Sequence, residues 1–310
     1  MNTQIFAPGL APGMTNDAYQ AAEGVSKSQL DDIAPECGNT PHHYWAKRLK
    51  PDREPYVKTP ALILGDAIHK AVLEPDLVSV HFAVPPKDAP KYPSITQWNA
   101  AKPSPQSIEA MEFWTGFQNE NRGKFVMDAD DMQTVVECRD AIHTHPVARH
   151  LFTGGNAEQT FFAIDPETGA VIKCRTDYER IAAAEMIVDL KTTESAGEDE
   201  FGGSATKYRY DVQGVWYPDV IHAAYNQPLV KHFVFVAIEK GPAKAVGIYY
   251  LEHDDIAPAR AMARRDFHRI LECKAAEASG HPDPWPDQGS TPGPLRIRRQ
   301  VRARQLRSYA

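Results

Sequence analysis

The sequence VIKCRTDYERIAAAEMIVDLKTT, at residues 171–193, decides the fold. From residue 158 to residue 193, apolar and polar residues alternate with a period of two, which is typical of strands joined by tight turns. The segment Asp-Pro-Glu-Thr-Gly at 165–169 supplies the first turn, because its proline and glycine favour chain reversal. The pattern therefore predicts a central hairpin of adjacent strands.

Charged residues are grouped on one face of the second and third strands of this hairpin. In the second strand, Lys173, Arg175 and Asp177 are expected to point to the same side, since successive side chains alternate. In the third strand, Asp189 and Lys191 share a face. Pairing of the two strands is expected to bring Asp177, Asp189 and Lys191 together.

Two carboxylates and a lysine in this arrangement are typical of a site that cuts phosphodiesters. Asp177 and Asp189 would hold a divalent cation such as Mg²⁺, which prefers hard oxygen ligands. Such a cation lowers the pKa of a bound water and neutralises charge on the phosphoryl oxygens. The ammonium of Lys191 would position that water or stabilise the transition state. Glu158, at the start of the preceding strand, could add a further carboxylate.

Periodicity elsewhere predicts an α/β domain with a mixed central sheet flanked by helices. The predicted helices are residues 26–33, 59–73, 106–121, 131–143, 205–225 and 258–278, and a second strand pair is predicted at 231–239 and 245–251. Thr59 is the expected N-cap of the second helix, with Pro60 at its first position. The proline-rich stretch 84–105 is expected to be a loop.

Composition shifts divide the chain into three parts. Residues 1–25 are rich in Ala, Pro, Gly and Asn without periodicity and are expected to be flexible, residues 26–280 form the folded domain, and residues 281–310 are a Pro/Gly-rich and then basic tail. The part of the tail after residue 295 carries six arginines and no acidic residue. It is either a disordered basic end or an auxiliary DNA-binding arm.

Charge and cysteine content limit the classes of function. A formal net charge of −7 argues against nonspecific coating of nucleic acid, which requires a basic surface, so any DNA contact must come from locally focused charge. The four cysteines are scattered and predict neither a zinc ribbon nor a disulfide framework. With no signal segment and no run of about 20 apolar residues, a cytoplasmic protein without membrane association is expected.

Acidic residues and a lysine occur in an order that resembles the signature of the PDDEXK nuclease superfamily: Glu158, Asp177 and Asp189-Leu190-Lys191. Two flanking segments are similar to its RecB-type branch. The first places Gly65 and His69 one helical turn apart, and the second does the same for Gln213 and Tyr217. Two sequence segments most closely resemble those of the RecE-type exonuclease VIII group. They are the segment before His69 and Asp-Leu-Lys-Thr-Thr at 189–193.

The resemblance implies a PDDEXK restriction-endonuclease-like core and a role for each site residue. The implied metal ligands are His69, Glu158, Asp177, Asp189 and Leu190. The implied catalytic residues are Glu158, Asp177, Asp189, Lys191, Gln213 and Tyr217. Mg²⁺ is the expected cofactor, with Mn²⁺ as an alternative because it accepts nitrogen ligands such as His69 somewhat better. Lys173 and Arg175 are either phosphate contacts to DNA or salt-bridge partners of the carboxylates.

The same resemblance implies an activity. The chain would degrade linear double-stranded DNA from its ends, 5′ to 3′ and without ATP, during recombination. It would act as a ring-shaped homo-oligomer and pass the remaining single strand to an annealing protein.

Three other classes of function also fit the sequence. A Cas4-like or AddB-like nuclease of the same branch would typically carry a four-cysteine iron–sulfur cluster, which the scattered cysteines disfavour. A catalytically inactive, nuclease-derived module would bind DNA ends without cutting them, and a protein-interaction scaffold would do neither. An isolated Asp-x-Lys triplet is most often a solvated strand face, and Tyr217 alone could be a packed aromatic.

Overall fold

The structure is a computed structural model that describes residues 7–54 and 57–287. The arginine-rich part of the predicted tail lies outside the described residues. None of the helices in the described ranges is long and apolar enough to cross a membrane.

The described residues form a six-stranded sheet and a separate two-stranded sheet. The strands are β1 (Gly9–Leu10), β2 (Phe82–Ala83), β3 (Phe125–Val126), β4 (Asn156–Ile164), β5 (Val171–Arg180), β6 (Met186–Thr193), β7 (His232–Glu239) and β8 (Val246–Tyr250). The large sheet has the order β1-β4-β5-β6-β7-β8, and β2 pairs with β3. Only β6 and β7 run parallel within the large sheet, so the predicted mixed sheet is confirmed.

Helices flank this sheet on both faces. They are α1 (Asn16–Ala21), α2 (Lys27–Ile33), α3 (Pro41–Arg48), α4 (Pro60–Leu73), α5 (Val78–His81), α6 (Ile95–Trp98), α7 (Pro105–Glu120), α8 (Ala129–Thr144), α9 (Ala148–Leu151), α10 (Ile181–Ala184), α11 (Glu198–Lys207), α12 (Tyr210–Tyr225) and α13 (His253–Ala278). The predicted start of α4 is confirmed, because the Thr59 side chain accepts a hydrogen bond from the Leu62 N–H and Pro60 follows it.

Strand β6 lies at the centre of the core and buries both of its faces. Ile187 packs in an apolar cluster with α12 and α13, whereas Val188 and Leu190 pack in a second cluster with α4 and α8. All three side chains are fully buried. Burial of a Leu or Ile side chain contributes about 1.5–3 kcal/mol, so β6 is firmly held, and the polar residues that alternate with this apolar set are fixed with it.

The expectation that residues 1–25 are flexible is wrong for residues 7–25. Gly9 pairs with Phe162 at the edge of β4, and the Val25 backbone bridges to Ile172. The ammonium of Lys173 donates to the carbonyl oxygens at the end of α1. This segment therefore covers an otherwise open sheet edge.

The single helix predicted at 205–225 is divided into α11 and α12. Arg209 lies between them in the left-handed conformation, with φ 53°, and is almost fully buried. Its guanidinium donates to Asp266 at 2.5 Å and to Asp31 at 3.3 Å, which ties the turn to α13 and α2. These distant partners stabilise a break that local spacing does not indicate.

Candidate active site

Strands β5 and β6 separate at the predicted site. They pair at Tyr178↔Val188, Glu179↔Ile187 and Arg180↔Met186. Beyond this point the Asp177 side chain replaces the neighbouring backbone, because its Oδ2 accepts from the Leu190 N–H at 2.8 Å. The carboxylate of Asp177 is thereby held between the two strands.

A local kink in β4 and β5 accompanies this separation. Their ladder passes from Ala157↔Tyr178 directly to Gln159↔Thr176, and Glu158, opposite Asp177, has a φ of 54°. Cys174 packs in the cluster with α12, whereas Tyr178, four residues later, packs in the cluster with α4. Strict alternation would put both on one face, so the predicted common face of Lys173, Arg175 and Asp177 is wrong.

Helix α4 brings His69 to the same place. The His69 Nε2 lies 2.6 Å from the Leu190 carbonyl oxygen and 3.6 Å from Asp177 Oδ2. Gly65, one turn earlier, permits this approach, because a Cβ there would lie 3.2 Å from the Thr192 hydroxyl of β6. Helix α4 therefore contacts β6 closely at this point.

Asp189, Lys191 and Gln213 form a connected polar group next to Asp177. The Gln213 amide donates from Nε2 to Asp189 Oδ1 at 2.5 Å and accepts from Lys191 Nζ at 2.9 Å. Lys191 Nζ also lies 2.5 Å from Asp189 Oδ2. Asp189 is fully buried, so its charge depends on these two partners.

The pKa shifts follow from this crowding. Burial, followed by the neighbouring Asp189 carboxylate, raises the pKa of Asp177 well above its usual range. Burial alone would lower the pKa of Lys191, but Asp189 and Asp177 outweigh it and the net shift is upward. Burial lowers the pKa of His69, which favours the neutral imidazole that can bind a metal.

The donor atoms at this point fit a divalent cation. In an octahedral shell with metal–oxygen distances of about 2.1 Å, neighbouring donor atoms lie about 3.0 Å apart. The separations of His69 Nε2 from the Leu190 oxygen and from Asp177 Oδ2, 2.6 and 3.6 Å, bracket this value. Within the described ranges, no three His, Cys, Asp or Glu side chains form a metal cluster by themselves. The third donor atom at this point is the Leu190 carbonyl oxygen.

Glu158 lies near this set but is engaged elsewhere. Its charge acts on both His69 and Asp177, while its Oε2 accepts from Arg175 Nε at 2.7 Å. Arg175 also donates from Nη1 to the Met14 carbonyl and to Thr160 Oγ1, both at 2.7 Å. Of the two uses expected for Arg175, the salt bridge to a carboxylate is therefore the one observed.

Lys173 is not placed to touch DNA. It is 1% exposed, and its ammonium donates to the carbonyl oxygens of Tyr19 at 2.7 Å and Ala22 at 2.6 Å. The expectation of a phosphate contact from Lys173 is therefore wrong, because the N-terminal segment covers the side chain.

Comparison with known proteins places the chain in a family. Residues 26–283 match the model of a PDDEXK-like domain of unknown function, DUF3799. The chain belongs to this PDDEXK-like family. The match agrees with the predicted nuclease-like core. No curated protein matches the chain.

A solved structure shows the same fold. The PDDEXK-like chain is similar to the crystal structure of a "putative exonuclease" from Eubacterium rectale, with a TM-score of 0.56 and 16% identity. The similarity covers 87% of this chain and 88% of the other. At this identity the likeness shows the fold, an α/β sheet flanked by helices, and the chemistry rests on this chain's own residues.

Two aromatic residues of α12 lie one turn on either side of Gln213 in this PDDEXK-like domain. Tyr217, one turn after Gln213, packs edge-on against Phe233 with ring centroids 6.0 Å apart, and burial raises the pKa of its hydroxyl. Tyr210, one turn before Gln213, was not predicted, yet the Lys191 ammonium lies 4.6 Å above its ring. The signal was its spacing of three residues from Gln213, which places both on one helical face.

Proposed function

We propose that this protein is a metal-dependent DNA exonuclease of the RecE type that hydrolyses phosphodiesters of linear double-stranded DNA. One observation carries the proposal: Asp177 is held where β5 and β6 separate, beside the connected group of Asp189, Lys191 and Gln213. Paired carboxylates next to a fixed ammonium suit attack of water on a phosphodiester.

Asp177, Asp189, His69 and the Leu190 carbonyl would hold the cation, with Mg²⁺ as the expected metal and Mn²⁺ as the alternative. When bound, the cation supplies positive charge to the phosphoryl oxygens and lowers the pKa of water. Lys191 donates hydrogen bonds to the attacking water or to the phosphoryl oxygen that gains charge. Gln213 holds this ammonium in place, and the pairing of Arg175 with Glu158 keeps a further carboxylate near the metal ligands.

The finer features of the proposal rest on the resemblance of the motifs. They are degradation from double-stranded ends in the 5′ to 3′ direction, independence of ATP, a ring-shaped homo-oligomer, a single-strand annealing partner and a cytoplasmic role in recombination.

A cleavage assay tests the proposal. Linear duplex labelled at either the 5′ or the 3′ end is incubated without ATP in Mg²⁺, Mn²⁺ or EDTA, beside a covalently closed circle. We expect cleavage of the linear substrate with either metal, early release of the 5′ label as mononucleotide, and no cleavage of the circle or in EDTA. The matched variant Asp189→Asn should be inactive.

Two results would contradict the proposal. Binding of linear duplex without any cleavage would instead indicate the inactive DNA-end-binding module. Cleavage of the closed circle at a rate equal to that of the linear substrate would indicate an endonuclease.

A further inference from the structure

A pocket with basic lining residues, here called the basic pocket, lies at the end of α4, the helix that carries His69. It has a volume of about 590 Å³ and is formed by the end of α8, by α9 and the turn after it, and by one residue of α4. Its lining residues are Val72, His143, Arg149, His150, Phe152 and Thr153. None of them is acidic, so the basic pocket offers an environment for an anion.

Arg149, which lines the basic pocket, and Arg180, which contacts the pocket residue His150, lack the carboxylate partners that most arginines of the described chain have. Arg149 donates from Nε to the His150 ring at 3.0 Å, and Arg180 donates from Nη1 to the His150 carbonyl at 2.9 Å. Among the described residues, neither forms a salt bridge, and the buried Nε of Arg180 has no hydrogen-bond partner. A guanidinium without a carboxylate partner keeps N–H groups that can donate to an external anion.

Two elements that carry candidate metal ligands also carry Val72, which lines the basic pocket, and Arg180, which contacts the pocket residue His150. Val72 follows His69 by three residues, about 4.5 Å along the axis of α4. Arg180 follows Asp177 by three residues, about 10 Å along β5. One DNA strand carries a charge about every 3.4 Å along the helix axis, so these distances correspond to about one to three nucleotides.

We propose that the basic pocket binds a backbone phosphate of the DNA strand that is cut, within three nucleotides of the scissile phosphodiester. Arg149 and Arg180 donate to the phosphate oxygens, and His143 and His150 line the same pocket. This inference rests on the proposed function and adds to it a site that fixes the register of the strand. It also supplies the locally focused positive charge that an acidic chain needs to hold DNA.

Binding measurements with matched variants test the inference. Affinity for a fluorescent linear duplex is measured in Ca²⁺ over a range of salt for wild type, Arg149→Gln and Arg180→Gln. Arg122→Gln is the control, because Arg122 is exposed, donates to the Asn119 side chain at 3.2 Å and lies outside the pocket. Arg149 is exposed, so its variant should fold even if replacement of the more buried Arg180 destabilises the protein.

We expect each pocket variant to weaken binding about tenfold, as for the loss of a hydrogen bond to a charged group. The slope of the salt dependence should fall by about one unit for each phosphate that the variant no longer binds. The control should keep the affinity and slope of wild type. Equal affinity and slope in Arg149→Gln and wild type would overturn the inference.

Neutral phosphates locate the contact on the DNA. Duplexes that carry one methylphosphonate at successive positions near the end are bound to wild type and to Arg149→Gln. We expect one position, within three nucleotides of the scissile bond, at which the modification weakens DNA binding by wild type but not by the variant. If the modification lowered the DNA affinity of both proteins equally at every position, the assignment of the basic pocket to a backbone phosphate would be refuted. Cleavage by wild type would still support the proposed function in that case.

Discussion

Gln213 connects the two charged groups of the candidate site, and its replacement by methionine tests their arrangement directly. The amide donates to Asp189 Oδ1 at 2.5 Å and accepts from Lys191 Nζ at 2.9 Å. Gln213 is 6% exposed, so water does not readily take its place. Because methionine is similar in length and volume, Gln213→Met removes both hydrogen bonds without leaving a large cavity.

The size of the effect follows from these contacts. A hydrogen bond to a charged group contributes about 1.5–3 kcal/mol. Loss of one such contribution in the transition state, through the freed Lys191 ammonium, lowers the rate of cleavage about 10- to 150-fold. The Asp189 oxygen left without its donor is buried, and it should lower the free energy of unfolding by about 1–3 kcal/mol.

Single-turnover cleavage separates these effects. We would measure cleavage of saturating end-labelled duplex by Gln213→Met as the Mg²⁺ concentration rises, together with DNA affinity in Ca²⁺ and thermal unfolding. The control is Gln227→Met, an exposed glutamine just after the same helix. We expect slower cleavage, unchanged affinity and wild-type behaviour of the control. Cleavage at the wild-type rate, with only the stability lowered, would refute the role of Gln213 in positioning Lys191.

Three further outcomes are expected. Asp189→Ala should abolish cleavage, and a variant that cleaves at nearly the wild-type rate would show that Asp189 has no role in catalysis. His69→Ala should need more metal and recover partly in Mn²⁺, whereas an unchanged metal dependence would make His69 structural. Burial lowers the pKa of Lys173 to about 8, against about 10.4 when unfolded, so stability to urea should rise by up to about 3 kcal/mol from pH 8 to 10.4. Lys173→Met should lack that rise, and an identical pH profile in the variant would contradict it.

The elements that local pattern determines could be predicted from the sequence. The N-cap at Thr59, the proline after it and the period of α4 agree with the structure because they depend on residues within one or two turns. Strand β6 could also be predicted from the sequence, since its apolar residues pack in the core on both faces of the sheet. The PDDEXK-like fold expected from the order of its motifs is confirmed by the family match.

Features that depend on distant contacts could not be predicted. The buried state of Lys173 is set by carbonyl groups 154 and 151 residues earlier in the chain. The kink at Glu158 requires a positive φ in a residue that ordinarily avoids it, and no glycine or asparagine at that position signals it. For this reason the strand face that was expected to present Lys173, Arg175 and Asp177 together does not exist as a regular face.

The kink explains how one strand can serve two purposes. Before it, β5 uses its cations internally: Lys173 fastens the N-terminal segment, and Arg175 neutralises Glu158. After it, the same strand holds Asp177 between separated strands and then presents Arg180 without a carboxylate partner among the described residues. Since Lys173 and Arg175 are engaged within the fold, a chain of net charge −7 that binds a polyanion needs cations from elsewhere. Arg149 and Arg180, which have no carboxylate partner among the described residues, are the cations that the proposed phosphate site would use.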